Sequence, residues 1–433
     1  MAASDTTNGH LIARTLRSAG IDAVYGLPLA GVGVVAVTAT QVATLMAGAH
    51  RRVQGRPAAV HMGDGNIAVG DAGGAGRSAV AVTSVDDLLA AVDPLHSAAR
   101  TGGLSLTIEL DPDAPAPDIL PPQPTPVDRW VEPNDQLVAT LAAATRPVVL
   151  AGPGVVRDGS VPGLHAAAAA ANLGVLNTWG AKGVFDWRSR HHLATAGLQA
   201  RDFELGGLAD ADLIVATGVD PAEAPDDRWR LAPVAEVAPG ALDPLAGRWS
   251  RPLGDIAAPP LREELARVTQ EGWVSVSTPL APSRVTRHYS QVFGAGGLVA
   301  ADPGVAGYWV ARTFATTELG GAQVPASGGG QGFAVACATV ARLCAPNRPV
   351  LAAVDGPLAD VVLEALEAAS RLGVAVPVEA WGTDGDGIGA DLHLARLRRL
   401  LHADHPGVVG LATDATQLDR MISVAGDVIA WTA

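Results

Sequence analysis

Asp355 and Gly356 end an apolar run, 350–354, and stand just before Pro357. A carboxylate at the end of a parallel strand is where such a sheet can offer an oxygen to a hard cation such as Mg²⁺. Read as an Asx turn, the same Asp only closes its strand. Thr383, Asp384 and Asp386 follow Trp381 and are the nearest oxygens that could complete a cation site, although this loop lacks the late Glu that an EF-hand needs. Thr40 and Gln41 open a helical stretch, 41–53, with Thr40 in the place of an N-cap. Gly330 and Gln331 belong to the Gly-rich run 327–332, which admits close approach of a ligand or simply close packing. Lys182 is the only lysine, so any Schiff-base chemistry would run through it.

Other groupings are weaker. Arg188, Arg190, His191 and His192 lie together and could meet a phosphate or a solvated loop, while the two adjacent His would not share a helix face as a zinc pair. Gly152-Pro153-Gly154 and the glycines of 63–65 and 73–76 could cradle phosphate, but neither a Gly-Lys-Ser/Thr nor a dinucleotide spacing follows, and 62–78 reads as a flexible loop. Cys337 and Cys344, seven apart on a helical stretch, share one face and suit small apolar packing.

These residues need a scaffold, and the pattern supplies one of α/β class. The stretch 348–382 is a strand, an Asp-Gly turn, a helix opened by Pro357 and a strand over 374–380, which make one right-handed βαβ crossover. Residues 8–111 alternate in the order α-β-β-α-β-α-β, with helices over 11–19, 41–53 and 86–99 and strands over 23–25, 34–37, 58–60 and 104–110, and so predict a small parallel sheet. The Pro-rich stretch 112–128 reads as an extended linker. Strand ends at Gly152 and Gly218 predict a second, Rossmann-like sheet, and a third segment starts near 276. With 433 residues, 48% of them hydrophobic, there is ample apolar material for about three domains. The formal net charge of −14 argues against nucleic acid and anionic membrane as partners. The N-terminus lacks a signal-peptide pattern and no apolar run is long enough to span a bilayer, so a reducing cytoplasm is the expected location.

Several stretches together resemble thiamine diphosphate enzymes of the acetolactate synthase type. GIDAVYGLP (20–28) and TQVATLMAGAHRRVQG (40–55) are similar to the pyrimidine-binding domain, RPVVLAGPGVV (146–156) and LADADLIVATGVD (208–220) to the central domain, and LVAADPGVAGYWVARTF (298–314), SGGGQGFAVACATVARL (327–343) and VDG (354–356) to the diphosphate-binding domain. The resemblance implies three Rossmann-like domains with parallel sheets: a shortened pyrimidine-binding-like domain over 1–111, a linker over 112–132, a central domain over 133–275 and a shortened diphosphate-binding-like domain over 276–433. It also implies a homodimer or tetramer, because family cofactor sites form between subunits.

The departures from the family pattern fall on its cofactor contacts. The glutamate that protonates the aminopyrimidine falls on Thr40, the diphosphate-contacting Gln-His pair on Val305-Ala306 and the metal-binding Asn pair on Trp381-Gly382, while Gln331 falls near the apolar prop of the cofactor. The leading expectation is therefore an acetolactate-synthase-like protein that has lost ordinary thiamine diphosphate catalysis, carries no cofactor, and keeps the fold to bind a small molecule in the old cleft or a partner protein. One alternative is an active thiamine diphosphate- and Mg²⁺-dependent lyase or carboligase of a 2-oxo acid. It would use Gln41, Gly330, Gln331, Asp355 and Gly356 at the cofactor and Asp355, Thr383 and Asp384 at the metal. The other is a nucleotide-binding protein working through the central domain.

Overall fold

The structure, a computed structural model, describes residues 6–69, 78–101, 103–125, 131–251, 254–325, 330–382, 387–403 and 405–431. Its contacts divide it into two compact units, one of Met1–Val127 with Val335–Pro346 and Asp360–Val374, the other of Asp128–Ala334 with Asn347–Ala359 and Ala375–Ala433.

The first unit carries a six-stranded sheet: β1 (Ala23–Gly26), β2 (Val34–Ala36), β3 (Ala58–His61), β4 (Asn66–Val69), β5 (Ser78–Val82) and β6 (Leu104–Ile108), in the order β2-β1-β3-β4-β6-β5. This sheet is mixed where the sequence predicts a parallel one. β4 runs antiparallel to both β3 and β6, and the other pairings are parallel. The expected loop after Met62 is instead a hairpin turn in which Gly63, Asp64 and Gly65 all take positive φ. Gly65 is needed there, since a Cβ would lie 2.1 Å from the Ile108 carbonyl oxygen. The Gly-rich run 73–76 lies outside the described residues. The helix expected over 86–99 is two, Val85–Ala90 and Val92–Thr101, because Pro94 has no N–H to continue the hydrogen-bond ladder.

Helix Thr40–Gln54 buries Val42, Ala43, Met46 and Ala47 and ends at Gly55 in the left-handed region. Its N-cap is Ala39, so Thr40 is the first helical residue and not the cap. In the same unit this helix packs on helix Asp360–Arg371, and Arg371 donates to the Thr38 hydroxyl at 3.1 Å. The described part of the Pro-rich stretch is pinned to the first helix: Asn8 N–H donates to the Ala114 carbonyl at 3.0 Å and Arg14 pairs with Asp118 at 2.9 Å.

The second unit holds two all-parallel, five-stranded sheets. One comprises β7 (Pro147–Ala151), β8 (Gly174–Thr178), β9 (His192–Ala196), β10 (Leu213–Thr217) and β11 (Val234–Glu236), ordered β11-β10-β7-β8-β9. The other comprises β12 (Leu298–Ala301), β13 (Ala322–Gln323), β14 (Val350–Asp355), β15 (Pro377–Trp381) and β16 (Gly407–Leu411), ordered β13-β12-β14-β15-β16. Strands such as LIVAT in β10 and VLAAV in β14 are buried at every residue, as expected for parallel strands covered on both faces. One apolar cluster joins the two sheets, combining Trp179 and Leu198 with Tyr308, Trp309 and Trp381. The architecture is thus α/β with three sheets, Rossmann-like in the second and third.

Candidate functional site

In the third sheet β13 lies on one side of β12 and β14 on the other, so the strand order reverses between β12 and β14. Ligand crevices of open α/β sheets form at such a switch point, outside the carboxyl ends of the strands. Two carboxylates stand there. Asp355 is the last residue of β14 and Asp302 the first after β12. Asp355 Oδ2 accepts the Val305 amide at 2.7 Å and its Oδ1 the Ala306 amide at 2.8 Å, so it sits on the N-terminus of helix Val305–Thr313. Asp302 accepts the amides of Gly332 and Ala334, both at 2.7 Å, at the start of helix Phe333–Cys344. Each carboxylate thus fills, from within the chain, a helix end that would otherwise attract an external anion. Gly304 makes the first arrangement possible: its φ is +127°, and a Cβ would lie 2.1 Å from Asp355 Oδ2.

Burial pushes the Asp302 carboxyl up to about 6, against its two amide donors, and neighbouring Asp355 adds to the rise. Burial also raises Asp355, with the Ala306 and Val305 amides opposing. Because the folded-state value of Asp302 lies above its ordinary value, the folded protein holds this proton more tightly than the unfolded chain. Ionisation of Asp302 therefore costs stability above about pH 6, and the cost disappears as pH falls toward about 4. We expect Asp302→Ala to leave two buried amides without acceptors and to lower stability by about 2–4 kcal/mol, and to remove this pH-dependent contribution. Urea denaturation at two pH values measures both. A loss below about 0.5 kcal/mol would show that the clamp is dispensable.

An open cleft of about 600 Å³ lies over the switch point, walled by Gly330, Gln331, Val305, Tyr308, Asp355 and Trp431 among others. The structure therefore brings three of the sequence-predicted residues, Gly330, Gln331 and Asp355, to one cavity. Gly356 adjoins Asp355, and its amide is spent on the Trp381 carbonyl at 2.6 Å. Asp302 was not among the expected site residues, although the ADPG run at a strand end was its signal. Thr40 and Gln41 are exposed at the start of their helix in the first unit. Thr383 and Asp384, expected at the metal, lie outside the described residues, as does Asp386.

A magnesium diphosphate group needs oxygen ligands and positive charge, and the described residues do not fit it. Among the described residues the walls of the cleft include neither Lys nor Arg. Trp381, at the position of a family Asn, is 1% exposed and its indole N–H donates to the Tyr289 hydroxyl at 2.8 Å inside the core. Ala306 is fully buried and Val305 presents only an isopropyl group. Among the described residues no group of three or more His, Cys, Asp or Glu is arranged to hold a metal ion.

The other candidate groups disperse. Gly152 and Gly154 pack on the loop after β10, where a Cβ on Gly152 would lie 2.3 Å from the Gly218 carbonyl oxygen and the Gly154 amide donates to that same oxygen at 2.8 Å. Backbone therefore takes the room that a phosphate would need. Arg188 pairs with Asp186 at 2.7 Å, Arg190 donates to Asn172 Oδ1 at 2.6 Å, and the His191 ring meets the Leu173 carbonyl at 2.8 Å, so these side chains do not converge on one anion. Cys337 is buried but Cys344, at the helix end, is exposed, which corrects the expectation of a shared buried face.

Residues 134–236, which contain the whole second sheet, match the family model described as thiamine pyrophosphate enzyme, central domain. The match supports the resemblance over this stretch, so the middle of the chain is similar to the central domain of thiamine diphosphate enzymes.

Proposed function

We propose that the protein is acetolactate-synthase-like, has lost ordinary thiamine diphosphate catalysis, and uses the retained cleft at the β12/β14 switch point to bind a small molecule or a partner. The observation that carries this reading is the seat of Asp355. In the family that carboxylate faces a metal; here both of its oxygens accept amides at the end of helix Val305–Thr313, in a cleft without a cationic side chain among the described residues. A diphosphate would bring several negative charges to a site that already holds two carboxylates.

Losing one buried charged partner typically costs about 2–5 kcal/mol, roughly 30- to several-thousand-fold in affinity. Partial additivity over the metal ligand and the Gln-His pair is enough to move a micromolar site into the millimolar range. Calorimetry on protein purified without cofactor, titrated with thiamine diphosphate and Mg²⁺ at tens of micromolar, is expected to give no binding heat, and pyruvate is expected to release no carbon dioxide. Stoichiometric micromolar binding would overturn the reading in favour of an active lyase or carboligase.

A further inference from the structure

The second unit contains another cavity, of about 370 Å³, whose walls have a different chemistry. Lys182, Arg262, Arg312, His192, Trp187 and Trp273 line it, and among the described residues neither Asp nor Glu does. Lys182 is 8% exposed, and its amine has no hydrogen-bond or ion-pair partner among the described residues. A buried ammonium without a carboxylate is rare, because the charge has lost its water and gained nothing in exchange. Arg262 has no carboxylate either and spends one nitrogen on the His192 carbonyl. Arg312 is committed to Asp202 at 2.8 Å, yet its Nε is buried and, like Trp273 Nε1, has no partner among the described residues. His192 Nδ1 is likewise buried without a partner.

From these groups we infer that the cavity is a binding site for a small organic carboxylate with a planar apolar body, its charge met by Lys182 and Arg262 and its body packed against the wall that Trp187 and Trp273 form together. Lys182 and Arg262, the cations of the wall without a carboxylate partner, carry donors only, so they call for an acceptor on the ligand. The two indoles meet edge to face, with centroids 6.2 Å apart, and Phe314 and Leu265 add apolar wall. Such surfaces suit an aromatic ring, for which inorganic phosphate has no counterpart. The volume is near the lower end of the roughly 300–1,000 Å³ usual for ligand pockets, which limits the ligand to about one or two rings. This cavity is separate from the β12/β14 cleft, and the inference stands whether or not the cofactor is lost.

The amine carries a built-in test. Burial, with neighbouring Arg312 adding, lowers Lys182 to about 7. The charged groups around it are Arg312 from helix Val305–Thr313, Arg262 from helix Pro260–Val274 and His192 from β9, the last lowered to about 3 by burial first and by Lys182 and Arg262 next. Asp186 lies near His192 but is held by Arg188. A bound carboxylate favours the ammonium, so binding takes up a proton above about pH 7, and affinity falls as pH rises, by at most about tenfold per unit.

Benzoate is the probe, benzamide its uncharged counterpart and inorganic phosphate the anion without an apolar body, each titrated calorimetrically into the full chain. We expect benzoate to bind at millimolar concentration or below, benzamide at least about tenfold more weakly, and phosphate not at all. Lys182→Met keeps the shape and relieves the buried charge, so it should fold, and it is expected to weaken benzoate at least about tenfold and to abolish the proton uptake. Equal binding of benzoate to this variant, phosphate binding in preference to benzoate, or no benzoate binding at millimolar concentration would each overturn the inference.

Discussion

Replacing Trp381 by Asn, the residue that the family pattern calls for, is expected to destabilise the protein by about 3–5 kcal/mol and to create no metal site. The indole is 1% exposed, its ring lies 6.3 Å from that of Tyr289, and its N–H donates to the Tyr289 hydroxyl. That hydroxyl donates in turn to Glu379, whose other oxygen meets His393 at 2.8 Å, and the chain of contacts continues through His288, 2.7 Å from His393, to Arg284. His288 is held neutral by burial, with His393 and the nearby arginines adding, down to about 3, so the network is a set of satisfied polar groups with Trp381 as its apolar lid. An Asn there would leave a cavity and place its own amide in the core. Against a total stability of about 5–15 kcal/mol the loss is large. The same holds for Ala306→His at a fully buried position, so restoring the family residues together is expected to unfold the protein before it rebuilds a cofactor site. Trp381→Phe, which keeps most of the packing, should cost about 1–2 kcal/mol. Urea midpoints decide the matter, and an Asn variant within about 1 kcal/mol of the parent would mean that the position is only lightly packed.

Much of this was readable from residues alone, and what was not has identifiable causes. The strands of the second and third sheets announce themselves as short, wholly apolar runs ended by glycine or aspartate, and parallel strands buried on both faces have no other pattern to show. The first sheet was harder because β4 is only four residues long and follows a Gly-Asp-Gly turn, which looks like a loop until its carbonyls and amides are paired. The candidate site was half legible. Asp355, Gly330 and Gln331 were found at the switch point, but periodicity could not reveal that Asp355 turns both oxygens onto its own helix, because that depends on the 50-residue separation between Asp355 and Val305 being closed by β12 pairing with β14. The cavity around Lys182 was invisible for the same reason: its cations come from three elements far apart in sequence, and only the scarcity of lysine marked the residue at all.

The buried pair Arg312–Asp202 is expected to show the other large effect, and its sign separates structure from ornament. Both side chains are 0% exposed. Arg312 donates to both Asp202 oxygens at 2.8 Å, to Gln199 at 3.0 Å and to the Thr195 carbonyl at 2.9 Å, while Asp202 also accepts the Leu198 and Gln199 amides at 2.8 and 2.9 Å. The pair therefore ties β9 and the loop after it to helix Val305–Thr313, one sheet to the next. Burial alone would raise Asp202, and Arg312 is the chief influence opposing that rise. Removing the carboxylate with Asp202→Ala leaves a guanidinium in the core and two amides without acceptors, and should cost about 3–5 kcal/mol. Arg312→Met should cost a similar amount by stranding the carboxylate. Removing both together should cost clearly less than the sum of the two, because most of each single loss is the penalty of the charge left behind and not the worth of the pair. A double-mutant cycle in urea measures that difference. Strictly additive losses would mean that each side chain is held by its other partners, with the ion pair itself contributing little to the junction between the two sheets.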